Sequence, residues 1–305
     1  MPSFRALQIT TPSTDFRKAT KVVEVAKIPT PSAGHVIVKN HYVGINATDI
    51  NVTNGAYGAT PTPGLEGAGV VFAVGEGIST VAVNDAVAYQ KLGAFAEYVE
   101  VPATSLIKLP EVSPVVVPLT VCGISASLAL EKLAKLAGNH IIGTCSSDDK
   151  VEYLKSLGCD RVINYAKEDI GTVLKNEYPK GIDLVFESVG GDVFKTILDN
   201  IALHARIIVF GMISGYRGAT VENPLLAAQL NTKLLMKSAS VRGFLLFNHA
   251  PHIPEHIAKL LALIKEGKLK SGIDPTEFNG LEGIADAIDR MYAKQNIGKL
   301  VVKLA

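Results

Sequence analysis

Near Pro110 the sequence changes period, and that change limits the possible folds more than any other feature. Upstream, short Val-rich runs with alternating apolar and polar positions are cut apart by Gly and Pro. Examples are Lys21–Ile28, His35–Asn46, Gly69–Val74 and Phe95–Val101. Runs of this kind predict short antiparallel strands that close, or nearly close, into a barrel. Between about Pro118 and Ile264 short apolar runs alternate with segments of helical period. Ile141–Cys145 precedes Asp148–Leu157, Leu184–Phe186 precedes Val193–Leu203, and Ile207–Phe210 leads into a loop. Strand–helix alternation predicts a parallel sheet with helices on its faces. A helix at Leu281–Met291 and a short strand at Lys299–Leu304 close the chain, and a terminal strand can rejoin the first domain. The expected division is residues 1–117 with 268–305, and 118–267 as a long insertion.

Bulk numbers narrow the function classes. Of 305 residues, 30 are Lys or Arg and 29 are Asp or Glu, so charge balance implies no basic face. Nucleic acid and acidic membrane surfaces are therefore poor partners, although composition leaves a local patch open. Cys122, Cys145 and Cys159 are too few and too irregularly spaced for a disulfide framework or a structural zinc site. Cys145 and Cys159 lie in apolar runs and read as inert. The amino terminus carries no apolar stretch of signal-peptide length, no uninterrupted apolar run reaches membrane-spanning length, and the carboxyl end carries no peroxisomal address. A cytoplasmic protein is expected.

Six motifs stand in a familiar order: Val43–Asp49 followed by Asn54–Gly58, Gly64–Val70, the run Ile141–Tyr165, Glu187–Gly191, Phe210–Tyr216, and Lys237–Phe244. Together they resemble the quinone oxidoreductase and prostaglandin reductase branch of the zinc-free medium-chain dehydrogenase/reductase superfamily. The resemblance implies an α/β protein, with a GroES-like β-barrel domain and a Rossmann-like, doubly wound parallel sheet. It implies NADPH-dependent reduction of a small α,β-unsaturated ketone or quinone. It also implies a homodimer, with Gly243–Phe247 as an edge strand pairing across the dimer.

Zinc-dependent relatives carry Cys and His where this chain has Asn46 and Leu65. Asn and Leu do not replace thiolate and imidazole as zinc ligands, so no catalytic metal is expected and a zinc alcohol dehydrogenase is disfavoured. A zinc-free reductase must polarise its substrate with hydrogen-bond donors. Tyr57, in Asn54-Gly55-Ala56-Tyr57-Gly58, matches the loop where related enoyl reductases carry an acid tyrosine. A phenol there can protonate an α-carbon or stabilise an enolate oxygen. The alternative is a loop aromatic that covers the barrel. Asn46 is placed by the resemblance beside nicotinamide and substrate, or else it bonds its own turn.

Cofactor choice depends on the end of the second Rossmann strand, where an acidic residue grips a free ribose hydroxyl and donors grip a 2′-phosphate. This chain has Ser146, Ser147 and Lys150 there, with Tyr165 after the next strand. The resemblance assigns Ser146, Lys150 and Tyr165 to the adenosine phosphate. A plain reading makes Ser146 a helix cap and Lys150 a solvated residue. Asp148 and Asp149 are unfavourable to phosphate but suit a helix amino terminus. Ser125, Ser188, Phe210, Tyr216, Phe244, Leu245, Leu246 and Asn296 are carried over as further cofactor-lining positions. His140 and His249 lie in no motif that positions them.

One departure matters. A dinucleotide fold opens with a strand, a glycine-rich turn and a helix whose amino terminus holds the pyrophosphate. Between Ser125 and Ile141 this chain offers one helical segment, with Leu128, Leu133 and Leu136 near one face and Gly138 as its stop. A crossover needs about 30 residues, roughly twice this interval. The first strand is therefore expected to be absent, and Gly190-Gly191 follows a later strand and cannot replace the turn. Its loss leaves two inner strand edges: either they close on one another or the domain is poorly stable. NADPH affinity should fall by orders of magnitude. A shortened transcript, a degenerate reductase and a rebuilt sheet all fit the gap. A non-catalytic binding protein of the same fold is the competing function.

Overall fold

A computed structural model describes residues 2–129, 137–218 and 224–305, without the side chains of 224–228. The chain separates into two compact units, Met1–Ser125 with Ala250–Ala305, and Ala126–His249.

The first unit begins with strands β1 (Phe4–Ile9) and β2 (Thr20–Val25), then β3 (His35–Gly44), β4 (Glu66–Val74), β5 (Ala86–Gln90), β6 (Tyr98–Pro102) and β7 (Leu106–Lys108). Helices α1 (Phe16–Ala19) and α2 (Asp49–Thr53) lie between strands, and α3 (Ile124–Ala129) begins as the first unit ends. Alternation does here what it predicts: in β6, Val99 and Val101 point inward while their neighbours are half-exposed. They join Val36, Val38, Val71 and Val87 in one apolar core. At Gly69 a side chain would strike the Lys39 carbonyl, with a Cβ only 2.0 Å away, so the residue lets β3 and β4 meet where their register shifts.

The second unit holds β8 (Ile142–Cys145), α4 (Asp148–Ser156), β9 (Arg161–Asn164), α5 (Ile170–Glu177), β10 (Ile182–Glu187), α6 (Gly191–Leu198), β11 (Ile201–Val209), α7 (Pro224–Lys237) and β12 (Ser240–Gly243). The chain then returns through α8 (Ile253–Lys265), β13 (Phe278–Asn279), α9 (Gly283–Tyr292) and β14 (Val301–Lys303) to the first unit. There β14 runs antiparallel to β3, with Val301 opposite Gly44, so the carboxyl-terminal strand does rejoin the barrel sheet. The expected boundaries at 117/118 and 267/268 differ from these compact units. Helix α8 belongs to the first, where Leu260 lies against the turn at Gly123.

Strands of the second unit are parallel, as alternation predicts, but they form two sheets. β8 pairs with β9, while β10, β11 and β12 pair in that order. The inner strands have not closed on one another. Apolar packing links the sheets instead: Ile142 of β8 and Ile182 of β10 both pack on the cluster of Ile163, Val173 and Leu174. Leu133 and Leu136 of the expected junction helix lie outside the described residues. Gly138 has a φ of 78°, the left-handed conformation expected of a helix stop.

Two expected elements need correction. The helix expected over Val193–Leu203 ends at Leu198, and Ile201 opens β11 opposite Ile182, because Ile201 is buried with Val185 between strands. The edge strand expected over Gly243–Phe247 is instead Ser240–Gly243. Beyond it the chain curls into a tight turn at Leu246–His252, which buries Leu246 and stacks His249 on Phe244 with ring centres 4.7 Å apart.

Candidate functional site

In the first unit a buried polar cluster forms where β14 meets β3. The pairing of Val301 with Gly44, and a bond from the Ile45 N–H to the Leu300 carbonyl, carry Lys299 alongside Asn46. The Lys299 side chain is 7% exposed, and its ammonium donates to Glu66 Oε1 at 2.6 Å and to Asn46 Oδ1 at 2.7 Å, with Cys122 Sγ at 3.5 Å. The Asn46 amide donates to Glu66 Oε1 at 2.8 Å. Glu66 Oε2 accepts from the Thr120 hydroxyl and from the Val121 N–H. Gly44 leaves room for this carboxylate, since a Cβ there would lie 2.4 Å from Oε1. Thr120 and Cys122 sit on a widened π-type turn, Leu119–Gly123, a backbone form common at functional sites.

Electrostatics follow from these contacts. Burial by itself would depress the Lys299 ammonium, but Cys122 and Glu66 more than offset it and hold the group above its ordinary value. Asp49, at the start of α2, is fully buried. One oxygen accepts from the Asn46 N–H at 2.8 Å and the other, Oδ1, has no partner. Burial pushes its carboxyl up to about 8. Tyr57 stands on the turn after α2, 44% exposed, with its phenol oxygen accepting from Thr48 Oγ1 at 2.8 Å. Asn296 donates to the Gly298 carbonyl at 2.9 Å, in the turn that delivers Lys299. Ser125 is half-buried on α3. Among the described residues no group of His, Cys, Asp or Glu is arranged to hold a metal.

Sequence reading singled out Asn46 and Tyr57 but missed Lys299, Glu66, Asp49, Thr120 and Cys122. Glu66 and Asp49 were inside the quoted motifs, and Lys299 was read only as the start of a strand. A lysine opening the short Val-rich terminal strand is the available signal, because a buried lysine demands a partner.

In the second unit the expected phosphate-binding residues gather at the carboxyl ends of β8 and β9. Ser146 follows β8, Lys150 lies in the first turn of α4, and exposed Tyr165 follows β9. Asp148 there is countered by Lys167 at 2.6 Å and bonded by Asn164 at 3.0 Å, which holds its carboxyl below the usual range. Phe210 stacks on Phe186 with ring centres 3.8 Å apart, and Phe244 lies 5.0 Å from Phe210. Tyr216 accepts from the Met212 N–H, and the Ser188 carbonyl accepts from the Ile213 N–H. Leu245 is exposed, while Leu246 is buried.

These residues fit one end of a dinucleotide better than the other. Donors without an uncountered acid at Asp148 suit an adenosine phosphate. Among the described residues the pyrophosphate end has no free glycine turn: Gly190 and Gly191 have φ of 76° and 57° and open α6, but Glu187 Oε1 already accepts from the Val189 and Gly190 N–H groups, at 2.9 and 2.8 Å. A carboxylate fills the nest that an anion would need.

Residues 32–111 match the alcohol dehydrogenase GroES-like domain, and residues 127–266 match the zinc-binding dehydrogenase family. Mouse prostaglandin reductase-3 is 41% identical, with 99% of this chain and 90% of the relative covered. A probable quinone oxidoreductase of Leishmania amazonensis is 36% identical, with 99% and 98% covered. Among solved structures, Escherichia coli quinone oxidoreductase complexed with NADPH superposes with a TM-score of 0.86 at 23% identity, over 98% of this chain and 99% of that one. The mouse alignment runs over 338 positions against a chain of 305 residues, so at least 33 positions (338 less 305) face a gap in this chain. One strand–turn–helix crossover has about that length.

Proposed function

The chain belongs to the medium-chain dehydrogenase/reductase superfamily, in the branch of prostaglandin reductase-3 and the quinone oxidoreductases, and from that premise we propose that it reduces the double bond of a small enone or quinone with NADPH. The observation that carries this reading is the Lys299–Glu66–Asn46 network, which supplies an internal cation where zinc-dependent relatives have metal ligands. A second cation beside Lys299 would be repelled, and Asn46 and Leu65 offer no thiolate or imidazole. The cofactor, when bound, supplies the hydride; the chain must position the acceptor and move a proton.

Tyr57 is the catalytic residue of this proposal. It is exposed enough to meet substrate, and Thr48 orients its oxygen. Asn46 is a positioning residue rather than a donor, since its amide is spent on Glu66 and its carbonyl on Lys299. Ser146, Lys150 and Tyr165 are assigned to the 2′-phosphate of NADPH. Ser125, Ser188, Phe210, Tyr216, Phe244, Leu245, Leu246 and Asn296 are assigned to the remainder of the cofactor. No helix among the described residues is long and apolar enough to cross a membrane, in keeping with small molecules as partners; the cytoplasm as location and a homodimer remain part of the proposal.

The test is loss of the near-ultraviolet absorbance of reduced nicotinamide when an enone or quinone is added to purified protein and NADPH. No turnover across a panel of both classes overturns the reductase reading. The occupied glycine nest and the missing turn favour a second one, a binding protein that keeps the fold without hydride transfer. Calorimetric titration with NADPH separates the two: the second reading requires no saturable binding at millimolar cofactor.

A further inference from the structure

We propose that the slot between β8 and β10 is a binding site for an extended, uncharged peptide strand contributed by another polypeptide, which joins the two half-sheets through backbone hydrogen bonds on both of its edges. Among the described residues each facing strand ends its own sheet, because there β8 is bonded to β9 alone and β10 to β11 alone. Between them lies a cavity of about 480 Å³. On the β10 side its lining is the unbroken run Leu184–Val189, and on the β8 side it includes Ile141, Ile142 and Thr144. Successive strand residues point to opposite faces, so a wall made of consecutive residues is the edge of a strand and not its face. The cavity therefore runs along the open edge of β10 and meets Ile142 and Thr144 beside the open edge of β8, with apolar side chains making most of its surface. At about 3.3 Å per residue, Leu184–Glu187 of β10 give this wall roughly 13 Å of strand.

This geometry selects the occupant. Only an extended backbone answers two facing strand edges at once. A compact apolar molecule fills space without meeting them. Ile170 and Leu174 of α5 and Val193 and Ile197 of α6 line the slot, so one face of the guest strand must be apolar, and β-branched residues suit it. No Lys or Arg is among the described lining residues, and Glu187 stands near the end of β10 with its Oε1 already bonded. An acidic strand would find no counter-charge there.

The experiment uses the full chain and the capped peptide Val-Thr-Val-Thr-Val. One analogue is N-methylated at the second and fourth residues and another at the first, third and fifth, each removing the donors along one edge. The parent peptide should raise Tm in a saturable way and bind calorimetrically, and each analogue should bind at least about tenfold more weakly. Thr144→Arg, at an exposed position that lines the slot, should abolish binding while leaving far-ultraviolet dichroism unchanged. Equal affinity of methylated and parent peptides would reduce the slot to an apolar pocket and overturn the proposal. So would the absence of any shift at millimolar peptide, or a concentration-dependent dimer that excludes the peptide, since a second copy would then fill the slot. The readouts are Tm and heat, so the result is independent of turnover.

Discussion

Asp49 gives the sharpest quantitative test of the buried cluster. Burial dominates its environment; the Asn46 N–H and Lys299 favour ionisation and Glu66 opposes it, with the net result that the carboxyl rises from 3.8 to about 8. Near neutral pH the folded chain therefore holds a proton that the unfolded chain has released. With the folded value above the unfolded one, stability is fully present below about pH 4, falls as pH climbs towards 8, and levels off beyond. Each unit of separation is worth about 1.4 kcal/mol, so a rise from pH 5 to 7.5 costs about 3 kcal/mol through this group. Asp49→Asn preserves shape and leaves an oxygen to accept from the Asn46 N–H, and the partnerless Oδ1 means that no bond is lost when an amide N–H₂ takes that place. Urea unfolding of parent and variant across that range isolates the effect, because every other titrating group cancels in the difference. The stability of the variant relative to the parent should increase by about 3 kcal/mol between pH 5 and 7.5. Parallel curves, or a difference that shrinks as pH rises, would refute burial as the dominant influence on Asp49.

Three further outcomes follow from the same contacts. Lys299→Met leaves the Glu66 carboxylate buried without its cation and should cost about 3–5 kcal/mol, with much of that recovered when Glu66→Gln is added; urea midpoints of the two variants decide it. Tyr57→Phe should lower kcat with an enone about a hundredfold with little change in KM, and an unchanged kcat would remove Tyr57 from proton transfer. NADPH should bind more weakly than micromolar by calorimetry, because Glu187 occupies the N–H groups of the glycine turn that opens α6. Tighter binding would mean that the pyrophosphate is held by groups other than a glycine turn.

Periodicity made most of the architecture legible. Val99 and Val101 alternate inward as their spacing requires, and the strand–helix order after Pro118 is read directly from Ile142–Cys145 onward. Reading failed where tertiary contacts overrode local pattern. Ile201 and Leu203 continue the apolar rhythm of α6, but pairing of Ile201 with Ile182 of β10 opens a strand there. Phe244–Phe247 has the composition of a strand, yet burial of Leu246 bends it away. In the site, Tyr57 and Asn46 were visible as motif members. Lys299 was not, because its role depends on the antiparallel register of Val301 with Gly44, across more than 250 residues of chain.

The lack of a first Rossmann strand among the described residues affects the two units unequally. Every bond in the Lys299–Glu66–Asn46 network lies within Met1–Ser125 and Ala250–Ala305, so the strand's absence does not weaken it. In the second unit, that strand would supply both inner ladders of the sheet and the turn that receives pyrophosphate. Among the described residues β8 and β10 have no strand on their facing edges, while the carboxyl ends of β8 and β9, which carry Ser146 and Tyr165, stay paired to each other. Adenosine-phosphate recognition can thus outlast pyrophosphate recognition, since the two depend on different strand pairs. The same separation explains why apolar packing of Ile142 and Ile182 on α5 can keep the half-sheets associated without a shared ladder, since side-chain burial needs proximity but not register.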